Sequence, residues 1–161
     1  MNRVVVTGMG VISPVGNDTE SFWNSLTEGK SGIGTITRFD LSGQKVTVAA
    51  QVKDFDPCRY MEKAQVRKTD LFAQYAVAAA VQAMEDSGLK AWENIDAERL
   101  GVYVGSGTGG INTISEQCEK FFSQGARHVS PFLIPMMICN IASGNIAIRF
   151  NAQGVNLPVV T

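Results

Sequence analysis

The sequence contains a single histidine, three cysteines and few charged residues, and these scarcities exclude several functions. His128 cannot act both as a base and as an oxyanion donor, so the chain alone lacks a complete hydrolase or acyltransferase site. The cysteines, Cys58, Cys118 and Cys139, cannot all pair and lack CxxC spacing. That pattern disfavours a disulfide framework or a zinc site and favours a reducing cytoplasm. We therefore predict no catalytic residue and no metal ligand.

Neither charge nor hydropathy points to nucleic acid or a membrane. Fourteen Lys and Arg residues against fifteen Asp and Glu residues give a net charge of -1, whereas nucleic-acid-binding domains are usually basic. The longest apolar stretch, residues 131–139, contains two prolines and is too short to cross a bilayer. Apolar residues make up 45% and charged residues only 18% of the 161 positions. These proportions exclude disorder and predict extensive burial.

Strand and helix patterns alternate along the chain without an internal repeat or linker. We predict strands at residues 3–7 (RVVVT), 46–52, 100–104 and 157–161, and a helix capped by Asn17 or Asp18. Further helices are predicted at residues 70–87 with Thr69 as the cap, from residue 110 to about residue 122, and at residues 137–150. The many alanines of the second helix favour close contact with its neighbours. This order predicts an α/β layered fold with a mostly parallel sheet.

Two glycine-rich segments follow predicted strands. Gly8-Met9-Gly10 is a poor dinucleotide-binding motif, because Ser13 replaces the third glycine and Pro14 lies where a helix would begin. Residues 105–110 (GSGTGG) follow a buried strand, and ligands of open α/β sheets collect at that end. No P-loop lysine follows. Contact with a ligand and a tight turn remain equally good interpretations of this segment.

The other residues that could take part in catalysis or binding can each be explained by a structural or solvent-exposed role. Cys139 lies among apolar residues, which favours a buried structural cysteine over a reactive one. His128 is expected in a solvated turn. Residues 59–68 contain four basic side chains and one acid, a run that fits either a solvated face or a docking surface for an acidic partner. From the residues alone, the solvated face is the better interpretation.

Five ordered segments together resemble the β-ketoacyl-acyl-carrier-protein synthases of bacterial fatty-acid synthesis: RVVVTGMGVISPVGN, GSGTGG, RHVSPFLIPMMI, NIASGNIAIRF and the closing VVT. The resemblance implies the thiolase fold, a five-layered αβαβα sandwich of two α/β halves, of which this chain would be the N-terminal half. It also implies a homodimer and a decarboxylating Claisen condensation of an acyl thioester with malonyl carrier protein. No organic cofactor is implied.

The same resemblance assigns residues by position. Thr108 matches a gate of the acyl pocket, where the family commonly has a branched apolar residue. Phe132 and Leu133 match a segment that lines the partner subunit's pocket, and Ile138 matches part of the same pocket. Four basic residues match the face that meets the acidic acyl carrier protein, which reverses the preference for a solvated face; they are Lys63, Arg67, Lys68 and Arg127.

The resemblance further implies that the family's nucleophilic cysteine would come two residues after Thr161. We therefore expect residues 1–161 to be a ketosynthase domain cut just before its nucleophile, inactive alone and completed by its own C-terminal half. A non-catalytic partner resembling a chain-length factor is the alternative, since such relatives keep this half and lose the cysteine. A nucleotide-binding module is a third possibility.

Overall fold

The computed structural model describes residues 3–160, in which helices pack against one parallel pair of strands. Strand β3 (Val102–Gly105) pairs in parallel with β4 (Asn156–Val159), with Val102 opposite Asn156 and Gly105 opposite Val159. A second pair, β1 (Ile33–Thr35) and β2 (Val48–Ala50), is antiparallel. The α/β class is thus confirmed, although the described strands form two small sheets, one of each type.

Six α-helices are present among the described residues: α1 (Thr19–Thr27), α2 (Lys63–Val66), α3 (Leu71–Ser87), α4 (Ile111–Gln124), α5 (Leu133–Met137) and α6 (Ile141–Phe150). Asp18 caps α1 by accepting a hydrogen bond from the Ser21 amide at 2.7 Å. Helix α3 ends at Gly88, which has a left-handed φ of 64°. The helix predicted at residues 137–150 begins only at Ile141, and the short helices α2 and α5 were not predicted. No helix described by the structure is long and apolar enough to span a membrane.

The core lies where α3 packs against α6. Ala73 and Ala78 of α3 and Ala142 and Ser143 of α6 are completely buried. Side chains this small let two helix backbones approach closely. The close contact predicted from the many alanines of α3 is therefore present. Met61, Val77, Val81 and Ile146 form the buried apolar cluster beside this contact.

Gly8 and Gly10 are required by contact with α3. A Cβ atom at Gly10 would overlap the Ala79 carbonyl oxygen, and one at Gly8 would overlap that of Ala83. The amides of Met9 and Val11 donate to Asp86 Oδ2 (2.9 Å) and Gln82 Oε1 (3.0 Å) of the same helix. The glycines therefore serve a close backbone approach within the fold, and the dinucleotide interpretation has no support.

Four predicted boundaries need correction. Residues 3–7 form no strand, because no described strand pairs with them, and Val4 and Val6 are 92% and 81% exposed. The strand predicted at residues 46–52 is limited to β2 (residues 48–50), and its partner β1 was not predicted. The last strand covers residues 156–159; residue 161 of the prediction lies outside the described residues. Asp70 rather than Thr69 caps α3, because the Thr69 hydroxyl donates to the Gln65 carbonyl instead.

Candidate functional site

The glycine turn of residues 105–110 connects the carboxyl end of β3 to α4. The Ser106 amide donates to the Val159 carbonyl of β4 (2.9 Å), and Ser106 Oγ accepts from the Gly109 amide (2.9 Å). The Gly110 amide donates to the Met137 carbonyl at the end of α5 (3.0 Å). Strand, turn and α5 are therefore joined by hydrogen bonds.

The four glycines of this turn divide into two pairs. Gly109 has a left-handed φ of 78°, and a Cβ atom on Gly109 or Gly110 would overlap the carbonyl oxygen of Met137 or Met136. At Gly105 and Gly107 a Cβ atom would meet nothing within 4 Å. Tight packing thus explains Gly109 and Gly110, whereas Gly105 and Gly107 border open space in which a ligand could approach the backbone.

Thr108 lies between these pairs and is exposed. The other residues predicted to line the acyl pocket, Phe132, Leu133 and Ile138, lie in or next to α5, which contacts the turn. Leu133 begins α5 and Ile138 follows its last residue, and both are half-buried, while Phe132 is 44% exposed. Since Gly109 and Gly110 contact the end of α5, the structure brings the turn that carries Thr108 against the segment that carries Ile138.

Asp70 is a buried residue at this site that the sequence analysis did not select. It is 4% exposed, and its Oδ2 accepts hydrogen bonds from both the amide and the hydroxyl of Thr113, each at 2.7 Å. Its Oδ1 accepts from the Phe72 amide at 3.3 Å. One carboxylate therefore holds the first turns of α3 and α4 together. An aspartate immediately before the apolar run of α3 was the available signal.

The basic residues predicted to bind a carrier protein are all exposed. Lys63 begins α2, and Arg67 and Lys68 follow its last turn, while Arg127 lies in a short 3-10 turn after α4. Lys68 Nζ is 5.2 Å from the centre of the Phe132 ring, which joins the basic segment to the predicted pocket segment. Within residues 3–160, no ion pair engages any of these four side chains.

The cysteines and the histidine show no catalytic arrangement. Cys139 is half-buried against Gly109, whereas Cys58 and Cys118 are exposed. His128 is an exposed residue of the same short turn as Arg127, and its Nδ1 lies 2.9 Å from the Gln124 carbonyl oxygen. Across residues 3–160, no group of three His, Cys, Asp or Glu residues could hold a metal ion.

A parallel strand pair packs against α6, which packs against α3, and a glycine turn follows β3; this is the architecture of a thiolase-like ketosynthase domain. Two solved structures share this architecture. "The ishigamide ketosynthase/chain length factor" matches with a TM-score of 0.89 and 31% identity over 98% of this chain and 39% of that chain. "AntDE:AntF (apo): type II PKS acyl-carrier protein in complex with its ketosynthase bound to the hexaketide" shares the fold, with a TM-score of 0.75 and 23% identity over 92% of this chain and 39% of that one.

The chain belongs to the β-ketoacyl synthase family, since the model described as "Beta-ketoacyl synthase, N-terminal domain" matches residues 1–161. Among its relatives is the 3-oxoacyl-[acyl-carrier-protein] synthase 2 of Coxiella burnetii, with 46% identity over 99% of this chain. The chain spans 38% of the length of that relative. The predicted family and fold are thereby confirmed.

Proposed function

We propose that this chain is the N-terminal part of a β-ketoacyl-acyl-carrier-protein synthase that elongates fatty acids in the cytoplasm. The observation that carries the proposal is the match to a 3-oxoacyl-[acyl-carrier-protein] synthase 2 along 99% of the chain. The reaction is a decarboxylating Claisen condensation: malonyl carrier protein loses carbon dioxide, and the resulting carbanion attacks an acyl thioester held on a cysteine. The nucleophilic cysteine of this reaction comes from a C-terminal half.

In this proposal the chain supplies the wall of the acyl pocket. Thr108 gates the pocket, supported by its place in a turn that borders open space at Gly105 and Gly107. Ile138 contributes to the same pocket as Phe132 and Leu133. Phe132 and Leu133 reach the pocket of a second subunit in a homodimer, an arrangement supported by the exposure of the Phe132 ring.

The chain also supplies a docking face for acyl carrier protein, formed by Lys63, Arg67, Lys68 and Arg127. Their exposure and their lack of an ion-pair partner within residues 3–160 support this role, because an acidic partner could approach all four. The structural neighbour that is described as a complex of a ketosynthase with its acyl-carrier protein provides a precedent for such a partner.

A second candidate is a non-catalytic subunit that measures chain length beside an active ketosynthase. The neighbour at 31% identity, described as a ketosynthase and chain length factor, favours keeping this candidate. The two candidates differ in the segment that would follow residue 161: the enzyme has the cysteine there, and the chain-length factor does not.

Condensation of acyl and malonyl carrier protein tests the proposal. We expect no turnover above background from the purified 161-residue chain, because it contains no cysteine paired with a histidine. A synthase that joins this chain to a C-terminal half with the cysteine should be active, and replacing that cysteine by alanine should abolish condensation. Turnover by the 161-residue chain, or none by the joined protein, contradicts the proposal.

A further inference from the structure

Helix α4 begins without a capping side chain of its own. The residue before it is Gly110, which has no side chain to accept a hydrogen bond from the first amides of the helix. Such amides have no partner within the helix, so the acceptor usually comes from a side chain at its start. Here the acceptor is Asp70 Oδ2, which lies 2.7 Å from the Thr113 amide and 43 positions away in the chain. Asp70, the cap of α3, therefore caps α4 as well.

The Asp70 carboxylate also lies directly against the glycine turn. A Cβ atom at Gly110 would be only 3.0 Å from Asp70 Oδ2. The carboxylate belongs to the start of α3, whose Ala73 and Ala78 are completely buried in the core. By contrast, α5, whose Met137 carbonyl accepts from the Gly110 amide, has only five residues, and none of them is buried. The firmer support of the turn therefore comes from Asp70.

Thr108 depends on this support because it has none of its own. Within the part of the chain that the structure describes, no hydrogen bond involves Thr108. The turn is held on one side at Ser106, whose amide donates to the Val159 carbonyl, and on the other side at Gly110. The position of Thr108 is therefore set by these two ends of the turn, and Asp70 holds the second.

We propose that Asp70 is a positioning residue for the gate of the acyl pocket. It acts on Thr108 through Thr113 and Gly110 and contacts no substrate itself, because it is 4% exposed and its two oxygens accept hydrogen bonds from α3 and α4. Asp70 is thereby a determinant of which acyl chain lengths are accepted. The inference rests on the proposed function, since Thr108 is a gate only in a β-ketoacyl synthase.

Hydrogen exchange in the 161-residue chain, followed by NMR, tests the positioning without any enzyme activity. The variant is Asp70→Ser, because serine is a good helix cap and retains the cap of α3, but its shorter side chain does not reach Thr113. The reporter is the Gly110 amide, which donates to the Met137 carbonyl and loses no partner in this variant. Its exchange should become at least about ten-fold faster relative to the amides of α6, because the turn opens locally more often.

Gly10→Ala is the matched control for a general loss of stability. Its added Cβ would overlap the Ala79 carbonyl of α3, away from the turn, so exchange at Gly110 and in α6 should rise by the same factor. Thr113→Val is a milder variant that removes only the hydroxyl bond to Asp70, and it should raise the relative exchange of Gly110 less. An unchanged exchange ratio in Asp70→Ser overturns the proposal, and so does an unchanged ratio in Thr113→Val if the first variant does not fold.

Competition between medium and long acyl primers in the complete synthase tests the consequence for substrate choice. Asp70→Ser should change the ratio of kcat/KM for the two primers at least about three-fold, since a displacement of about 1 Å can change a rate by about 10²-fold. In a Thr108→Ala background the same substitution should no longer change the ratio, because the side chain that it displaces is absent. Gly10→Ala should leave the ratio unchanged.

The outcomes separate this inference from the proposed function. If Thr108→Ile alters the chain-length preference of an active synthase while Asp70→Ser does not, the function stands and the role of Asp70 is wrong. An equal effect of Asp70→Ser with and without the Thr108 side chain also overturns that role. If the wild-type synthase does not condense its substrates, the proposed function is wrong, and the exchange of Gly110 alone decides whether Asp70 positions the turn.

Discussion

Replacing Thr113 by valine should destabilise the chain measurably, because the change removes one of the hydrogen bonds to the Asp70 carboxylate. Thr113 is 4% exposed, and its hydroxyl lies 2.7 Å from Asp70 Oδ2. Valine has nearly the same shape, so no cavity forms. The Thr113 amide continues to donate to Asp70 Oδ2, so the carboxylate is not left without a donor.

The size of the effect follows from two opposing contributions. A hydrogen bond to a charged group contributes about 1.5–3 kcal/mol. The methyl group that replaces the hydroxyl recovers about 0.8 kcal/mol of apolar burial. The expected loss is therefore about 1–2 kcal/mol in the free energy of unfolding. For a chain of this length, that loss corresponds to a fall in Tm of roughly 2–8 °C.

Urea unfolding of the wild-type and variant chains measures the loss. The midpoint should fall while the dependence of the free energy on urea concentration stays constant. Thr27→Val is the matched control, because the Thr27 hydroxyl donates to the Asn24 carbonyl at 3.0 Å on an exposed helix. We expect the control to cost less than about 0.5 kcal/mol. Equal losses in the two variants, or no loss in Thr113→Val, would refute the role assigned to Asp70.

Three further predictions concern the docking face, the gate and the close approach to α3. Arg67→Glu combined with Lys68→Glu in the complete synthase should raise KM for carrier-bound acyl groups about five-fold or more, since each surface charge pair contributes up to about 1 kcal/mol. The KM for small thioester substrates should change little. Equal losses on both kinds of substrate would count against a docking role. Thr108→Ile should change the ratio of kcat/KM between medium and long acyl primers several-fold in a competition assay, since a difference of about 1.4 kcal/mol in activation free energy changes a rate tenfold. If the preference for chain length is unchanged, Thr108 is a turn residue only. Gly10→Ala should lower the free energy of unfolding in urea by about 1–3 kcal/mol, because the added Cβ would overlap the backbone of α3. Gly34→Ala is the control and should lower it clearly less, since a Cβ there meets nothing within 4 Å. Similar losses in the two variants would contradict the explanation given for Gly10.

Local signals predicted the helices α1, α3 and α4 well. Asp18 before α1 and Gly88 after α3 are typical cap residues, and both perform that role. Thr69 and Asp70 are also both typical caps, and the sequence analysis chose the wrong one. Asp70 is the cap because its carboxylate also accepts hydrogen bonds from the amide and the hydroxyl of Thr113, which is 43 residues away. Sequence spacing alone cannot reveal that requirement.

Strands were harder to predict because a strand needs a partner. Residues 3–7 have a strongly β-forming composition, yet their neighbours Met9 and Val11 donate to side chains of α3 instead of a strand. Residues 33–35 pair with β2, although they lie in a segment with three glycines, Gly29, Gly32 and Gly34, whose composition is typical of a loop. For the candidate site, family resemblance supplied Thr108 and Lys68, whereas the contact between Lys68 and Phe132 required the folded structure.

The contact of residues 8–11 with α3 also has a consequence for the order of events during synthesis. Met9 leaves the ribosome long before Asp86, to which its amide donates across 77 positions. At about 5–20 residues per second, that interval is roughly 4–15 s. During this time the preceding valines Val4, Val5 and Val6 have no helix beside them, and they are exposed even in the folded chain. The apolar amino-terminal segment of the nascent chain therefore stays without its helix partner until α3 emerges.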